Sequence, residues 1–329
     1  MAPDVVIPAR QGAHHVELRP REPGMECDLD AVLFRHDTDG CDSAGHHVQY
    51  SPRVEGLAMV EWDGFPRRGR ALSSIYDGLD RMTEEIAEHG VPFHTVTEWG
   101  DTFPWLFAGI SHAGSDPDPF DLRLFDEPTS PRAPARWKDL LRASAFETIV
   151  HARQVHETRI VVHEQPGAGV LEAEGAADGH ATADLGVLLA VTVADCVPIY
   201  LLDVDARAVA LLHGGWRGIA AGILPRGITL LETRWGTDPR RLLVHLGPAI
   251  CGACYEVGPE VFSALGAEVP SHSAPVDVRG VLAQQARAAG VPPESITVSG
   301  LCTLCGDGNL FSHRGGRSER QVAFLGIRP

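Results

Sequence analysis

The chain has 329 residues, 44% of them apolar, which is enough for a sizeable core and for two domains or one large domain with an extension. Its net charge of −16, from 44 acidic and 28 basic residues, repels nucleic-acid phosphates and anionic lipid, so neither nucleic acid nor a membrane is an expected partner. No apolar run approaches the roughly 18 residues of a membrane span, and the N-terminal stretch lacks the basic and apolar regions of an export signal, so a cytoplasmic protein is expected.

In chain order, the Asp- and His-rich run 36–47 lacks a strand or helix frame and reads as a solvated loop rather than a metal site. Residues 56–62 predict a strand. Over 72–87, Leu72, Ile75, Leu79, Met82 and Ile86 fall at helical spacing, predicting an amphipathic helix that ends near Gly90. These segments make residues 1–100 an N-terminal extension without an assigned role, ahead of a catalytic domain over 101–329. Pro131 and Pro134 mark a loop before a short helix over 135–143, and residues 148–155 and 159–162 are strand-like, with His156 at the break.

The centre of the chain is more regular. Val187–Val193 is apolar but for Thr192, the pattern of a strand buried on both faces. Ala194-Asp195-Cys196 interrupts it, residues 197–202 resume it, Asp203-Val204-Asp205 turns the chain, and a third strand over 208–212 ends at His213. Gly214, Gly215 and Gly218 then surround Trp216 and Arg217. A helix over 217–235 should be kinked or split by Pro225. Leu242–Leu246 is a strand, 259–265 and 278–289 are helices, and 296–299 and 322–327 are late strands. This is an α/β chain with no internal repeat, no GxGxxG and no GxxxxGK[ST], so neither a dinucleotide fold nor a P-loop is indicated.

The cysteines fall at 27, 41, 196, 251, 254, 302 and 305, an odd number that argues against a disulfide framework. Cys251/Cys254 and Cys302/Cys305 have zinc-ligand spacing, but 47 residues separate the pairs, and buried free thiols are the expected reading. His156, Cys196 and His213 each follow an apolar run and precede a loop. Two imidazoles and a thiolate suit zinc, or cuprous copper, with a further position for substrate. Spacing alone leaves two alternatives open: a buried cysteine with two unrelated histidines, and a thiol hydrolase or amidase with Cys196 as nucleophile and His213 as base.

ADCVPI followed by HGGWRG resembles the laccase-domain family, also called multicopper polyphenol oxidases, whose patterns are ADC-x-P and H-A-G-W-R-G. Gln154-Val155-His156, the run LGPAICGACYEV over 246–257, and Phe311-Ser312-His313-Arg314 with Arg320-Gln321 match three further family motifs in order. The resemblance implies a layered sandwich of mixed β-sheets with outer helices. It also implies a zinc-bearing purine nucleoside phosphorylase that splits adenosine, inosine or guanosine with inorganic phosphate, with adenosine deaminase as a side activity. Copper-dependent polyphenol oxidation is the alternative, and a monomer or homodimer is expected.

The metal would sit on His156, Cys196 and His213. Substrate and phosphate would be held by Arg153, Arg217, Arg314 and Arg320, with Asp178, Asp195 and Glu256 as acid–base carboxylates. Three departures stand out. The run Gly109-Ile110-Ser111-His112-Ala113-Gly114 lacks the arginine of the family's first motif, Asp121-Leu122 replaces Asn-Leu, and Glu319 replaces the glycine before Arg320. His112 or another nearby cation is expected to supply the missing charge.

Overall fold

A computed structural model describes residues 90–329, except 116 and 126–128, together with three short strands at Asp39–Cys41, His47–Gln49 and Glu84–Ile86. The chain divides into two compact units, Met1–Asp63 and Gly64–Pro329. In the first, Asp39–Cys41 and His47–Gln49 form an antiparallel pair. The frameless loop expected over 36–47 is thereby corrected, since Asp39–Cys41 is a strand and His47 begins its partner. The strand expected over 56–62 and most of the helix expected over 72–87 lie outside the described residues. The end of that helix is corrected: Glu84–Ile86 is a strand, paired antiparallel with Phe93–Val96.

The second unit is built on two mixed sheets. One has seven strands, in the order Glu84–Ile86, Phe93–Val96, Leu106–Ser111, Gln321–Ile327, Val187–Val193, Thr148–His151, Gly169–Glu172. Two strands of this sheet, Glu84–Ile86 and Phe93–Val96, therefore come from residues that the sequence placed in the extension, and the short helix Thr97–Thr102 follows them. The other sheet has six strands, in the order Ile296–Val298, Leu242–Leu246, Val197–Asp203, Ala208–Gly214, Gly179–Thr182, Ile160–Val162.

The side-chain alternation of each strand explains the layering. Leu189 and Val191 point into an inter-sheet core with Tyr200, Leu202, Val209, Leu211 and Leu325. Their neighbours Leu188 and Ala190 face outward, where Trp137 and Leu140 of helix Ala133–Ser144 cover them. Ile199, Leu201 and Leu212 face outward on the other sheet, under helices Ile223–Trp235 and Val278–Ala288. Strands covered on both faces need apolar residues at every position, which is why the central run reads as unbroken.

The helical break after His213 does not fall at Pro225. Helix Trp216–Ala220 stops and Ile223–Trp235 starts around Gly222, whose φ of 82° is open to glycine at little cost. Pro225 sits in the first turn of the second helix, where its missing N–H has no partner to lose. Among the described residues no helix is long and apolar enough to cross a membrane.

Candidate metal centre and active-site cleft

The chain changes sheets between Val193 and Val197, and that crossing places Cys196. Asp195, with a left-handed φ of 86°, makes the turn. Its carboxylate is tied on both sides, Oδ1 accepting the Thr303 hydroxyl at 2.5 Å and Oδ2 the Arg314 backbone N–H at 2.7 Å. Strained backbone of this kind persists where its surroundings over-determine it. Asp195 is thus a structural anchor beside Cys196 that also lines the cleft.

Asp178 organises the two histidines. It has no exposed surface and accepts the backbone N–H groups of Val155 (3.1 Å), His156 (2.8 Å) and Glu157 (2.8 Å). It also accepts the Nδ1–H of His213 at 2.8 Å. Nδ1 being committed, Nε2 is the atom His213 has left for a metal or a proton. Burial pushes the Asp178 carboxyl up, but the His213 hydrogen bond and the backbone donors outweigh it and hold the pKa below the ordinary carboxylate value.

The ligand atoms of His156, Cys196 and His213 lie within 4.8 Å of one another, with Cys196 Sγ 3.8 Å from His156 Nε2. Burial raises the Cys196 thiol, but the charge of His213 and hydrogen bonds from both histidines bring it down to about 6. Burial lowers His213, but the Cys196 thiolate and the Asp178 hydrogen bond raise it to about 9. In the metal-free chain the pair is therefore a thiolate and an imidazolium at neutral pH.

The site fits a metal on two grounds. One soft thiolate and two imidazoles form a donor set for zinc or cuprous copper. In addition, a Cβ on Gly215 would stand 2.5 Å from His156 Cδ2 and 3.4 Å from Cys196 Sγ, so only glycine lets these ligands close up.

The trio opens onto a cleft of about 480 Å³, a size usual for small-molecule sites. Trp216, Tyr255 and Phe125 give it aromatic faces, and Arg123, Arg217, Arg314 and Arg320 give it positive charge. The Arg217 guanidinium lies 4.4 Å over the Trp216 ring and that of Arg314 5.2 Å over Tyr255.

Not every residue singled out in the sequence is in this cleft. Arg153 is exposed outside it. Glu256 is also exposed outside it, and meets the site only through its backbone carbonyl, which accepts Arg314 Nη1 at 2.7 Å. Asp178 is fully buried, does not line the cleft, and bonds to the backbone of His156 and the ring of His213. His112 is buried, its pKa lowered to about 4 by burial and by His94, and it does not line the cleft, so it supplies no charge there.

The cation near the expected place is Arg123. Its Nη1 donates to the Ser318 carbonyl at 2.9 Å, and Arg320 Nη1 donates to the same oxygen at the same distance. Asp121 offsets part of this charge, its Oδ2 4.0 Å from Arg123 Nη2 and its Oδ1 accepting the Arg320 backbone N–H at 2.9 Å. Buried Arg123 Nε has no hydrogen-bond partner among the described residues. The signal in the sequence was Arg123 itself, directly after Asp121-Leu122, outside the run where an arginine was sought.

The two Cys-x-x-Cys pairs also converge. All four sulfurs lie within 4.8 Å of one another, and only Cys302 is buried, which corrects the reading of them as separate buried thiols.

Fold and site together define a class: a two-sheet sandwich with outer helices and, at the sheet crossing, a His-Cys-His group that could hold a metal. The chain belongs to the family described as multi-copper polyphenol oxidoreductase laccase, whose family model matches residues 129–328. It is 35% identical over 255 residues to a protein of Geobacillus stearothermophilus named purine nucleoside phosphorylase YlmD, covering 69% of this chain and 92% of that one. It is 32% identical over 185 residues to adenosine deaminase RL5 of an unknown prokaryotic organism, covering 51% and 70%. The crystal structure of YlmD from Geobacillus stearothermophilus superimposes with a TM-score of 0.67 at 28% identity, over 75% of this chain and all of the other.

Proposed function

We propose that this protein is a zinc-dependent purine nucleoside phosphorylase with adenosine deamination as a side reaction. It takes adenosine, inosine or guanosine with inorganic phosphate and releases the base and ribose 1-phosphate. The observation that carries this reading is one cleft presenting three things together: the His156/Cys196/His213 trio, aromatic faces for a purine, and a pair of arginines sharing one carbonyl oxygen. The names of the two relatives support it.

In phosphorolysis a phosphate oxygen bonds to C1′ of the ribose while the C1′–N9 bond breaks and the purine leaves. We assign phosphate to Arg123 and Arg320, because two guanidiniums drawn to one oxygen repel each other until an anion lies between them. Trp216 and Tyr255 flank the purine. Burial and the nearby Cys196 thiolate raise the Tyr255 pKa, so its neutral hydroxyl is a donor for the departing base. His156, Cys196 and His213 would hold zinc, which supplies Lewis acidity beside the cleft. Asp178 keeps His213 Nε2 turned to that task.

One observation favours a second reading. Asp178, His213 and the Cys196 thiolate form a chain like that of a thiol hydrolase. That arrangement gives His156 no role, although His156 is fixed by Asp178 at 3.8 Å from the sulfur.

The test is to incubate adenosine with and without phosphate and follow adenine, inosine and ribose 1-phosphate. Adenine and ribose 1-phosphate in equal amounts, formed only with phosphate, are expected. Inosine alone, independent of phosphate, would make the protein a deaminase. No nucleoside turnover, with phenol oxidation on adding copper, would make it an oxidase.

A further inference from the structure

Leu242–Leu246 and Ile296–Val298 are adjacent parallel strands, with Leu246 opposite Val298, so the loops that follow them leave the sheet at the same end. The first loop carries Cys251 and Cys254, the second Cys302 and Cys305. Pairing continues beyond the strands: Ser299 N–H donates to Leu246 O at 2.8 Å, Ala249 bridges Cys302, and Thr303 N–H donates to Ala249 O at 3.2 Å. The fold thereby supplies what 47 intervening residues hide in the sequence.

Within each loop the backbone turns the two sulfurs to one side. Cys254 N–H donates to Cys251 O at 3.0 Å, and Gly306 N–H to Cys302 O at 3.0 Å. A Cβ on Gly306 would lie 2.4 Å from Cys302 O, so this second turn closes only with glycine. Cys302 Sγ accepts three backbone N–H groups, from Cys251 (3.2 Å), Leu304 (3.4 Å) and Cys305 (3.5 Å). Donors aimed at sulfur favour the thiolate, the form that binds a metal.

The four Sγ atoms lie within 4.8 Å of one another, and Cys251 and Cys305 are 3.8 Å apart. Thiolates at about 2.3 Å from zinc in a tetrahedron stand about 3.8 Å apart. We propose that Cys251, Cys254, Cys302 and Cys305 form a second metal site, a closed structural zinc centre separate from the His-Cys-His trio. Its place gives it a task. Cys254 precedes Tyr255 of the cleft, and Thr303, next to Cys302, donates to the Asp195 carboxylate beside Cys196. The site ties together the two loops that form this wall. It stands independently of the reaction proposed above.

The full-length protein, reduced, dialysed against zinc and desalted, should retain about two zinc ions per chain, and the double variant Cys254→Ser/Cys305→Ser about one. Cys196→Ser, which removes a ligand of the other site, should also retain about one. Cobalt is the second readout: Cys196→Ser loaded with cobalt should keep the intense absorption of thiolate-bound tetrahedral cobalt. This arm holds even where the double variant fails to fold. Absence of retained zinc in Cys196→Ser, an unchanged count in a folded double variant, or loss of all thiolate–cobalt absorption in Cys196→Ser would overturn the proposal. So would a cluster that stays metal-free and pairs as disulfides.

Discussion

Asp178 shows how much of this site depends on a fully buried residue outside the cleft lining. One carboxylate fixes the backbone before, at and after His156 and the tautomer of His213. Asp178→Asn exchanges one acceptor oxygen for an N–H donor in that cluster of donors. It should lower stability by about 1–3 kcal/mol, read from the urea midpoint, and zinc affinity or activity about 10- to 100-fold. Gly215→Ala separates sterics from backbone strain, since the residue has φ −74° and ψ 153°, open to alanine. Its Cβ presses on His156, so metal affinity should fall about 10- to 100-fold while the unfolding midpoint moves little.

The Cys196–His213 pair also sets a pH dependence. His213, raised to about 9, contributes stability that is full below 6.5 and lost as pH rises through about 9. Cys196, lowered from 9.0 to about 6, contributes stability present above 9 and lost as pH falls through about 6. Between these limits the folded pair and the unfolded pair hold the same number of protons, so the two slopes cancel and metal-free stability should be nearly flat. Reactivity does not cancel. In the metal-free protein, alkylation of Cys196 by iodoacetamide, followed by mass spectrometry of its peptide, should rise through pH about 6 and level off. An inflection near 9 would refute the ion pair.

At the scale of elements, the site exists because one strand leaves its sheet. Apolar runs separated by Ala194-Asp195-Cys196 were legible, but both runs look alike, and nothing local says that they enter different sheets. Tyr200 marks the join: its hydroxyl donates across the core to Gly109 O of the other sheet at 2.8 Å. Tyr200→Phe should cost about 1 kcal/mol in denaturant unfolding and leave KM values unchanged. The strands Gly169–Glu172 and Gly179–Thr182 were not foreseen, since each has only four residues and little apolar pattern. The break between the two helices after His213 was misplaced because the conformation of Gly222, rather than Pro225, decides it, whereas the end at Trp235, before left-handed Gly236, was placed correctly.

The same scale explains the arginine. Ala113 is buried beside Ala194 and Phe311, outside the cleft, so an arginine placed there would be forced into packed core. Ala113→Arg should not improve phosphate use and should destabilise the fold. Arg123→Ala should raise the KM for phosphate about 10- to 150-fold, the value of one charge-assisted hydrogen bond. The KM for nucleoside should barely change. Equal effects on both would remove Arg123 from the phosphate site.

Across the whole molecule, the residues proposed to hold the metal could be picked out because motif and strand end coincide at Cys196 and His213. The surroundings of the carboxylates were not readable, because burial is a property of the fold: Asp178 and Glu256 look alike in sequence, yet one is sealed and the other exposed. The two cysteine pairs were underread for a related reason, as strand adjacency alone brings them together.

The central claim is that the His156/Cys196/His213 trio holds the zinc of a phosphorylase. It is tested most directly by stripping metal from the protein, returning zinc, and measuring phosphate-dependent adenine release from adenosine in the parent and in Cys196→Ala. The parent should lose its activity on stripping and regain it with zinc, and Cys196→Ala should stay inactive throughout. Full activity in the stripped parent, abolished by iodoacetamide, would contradict the account and assign Cys196 to nucleophilic catalysis.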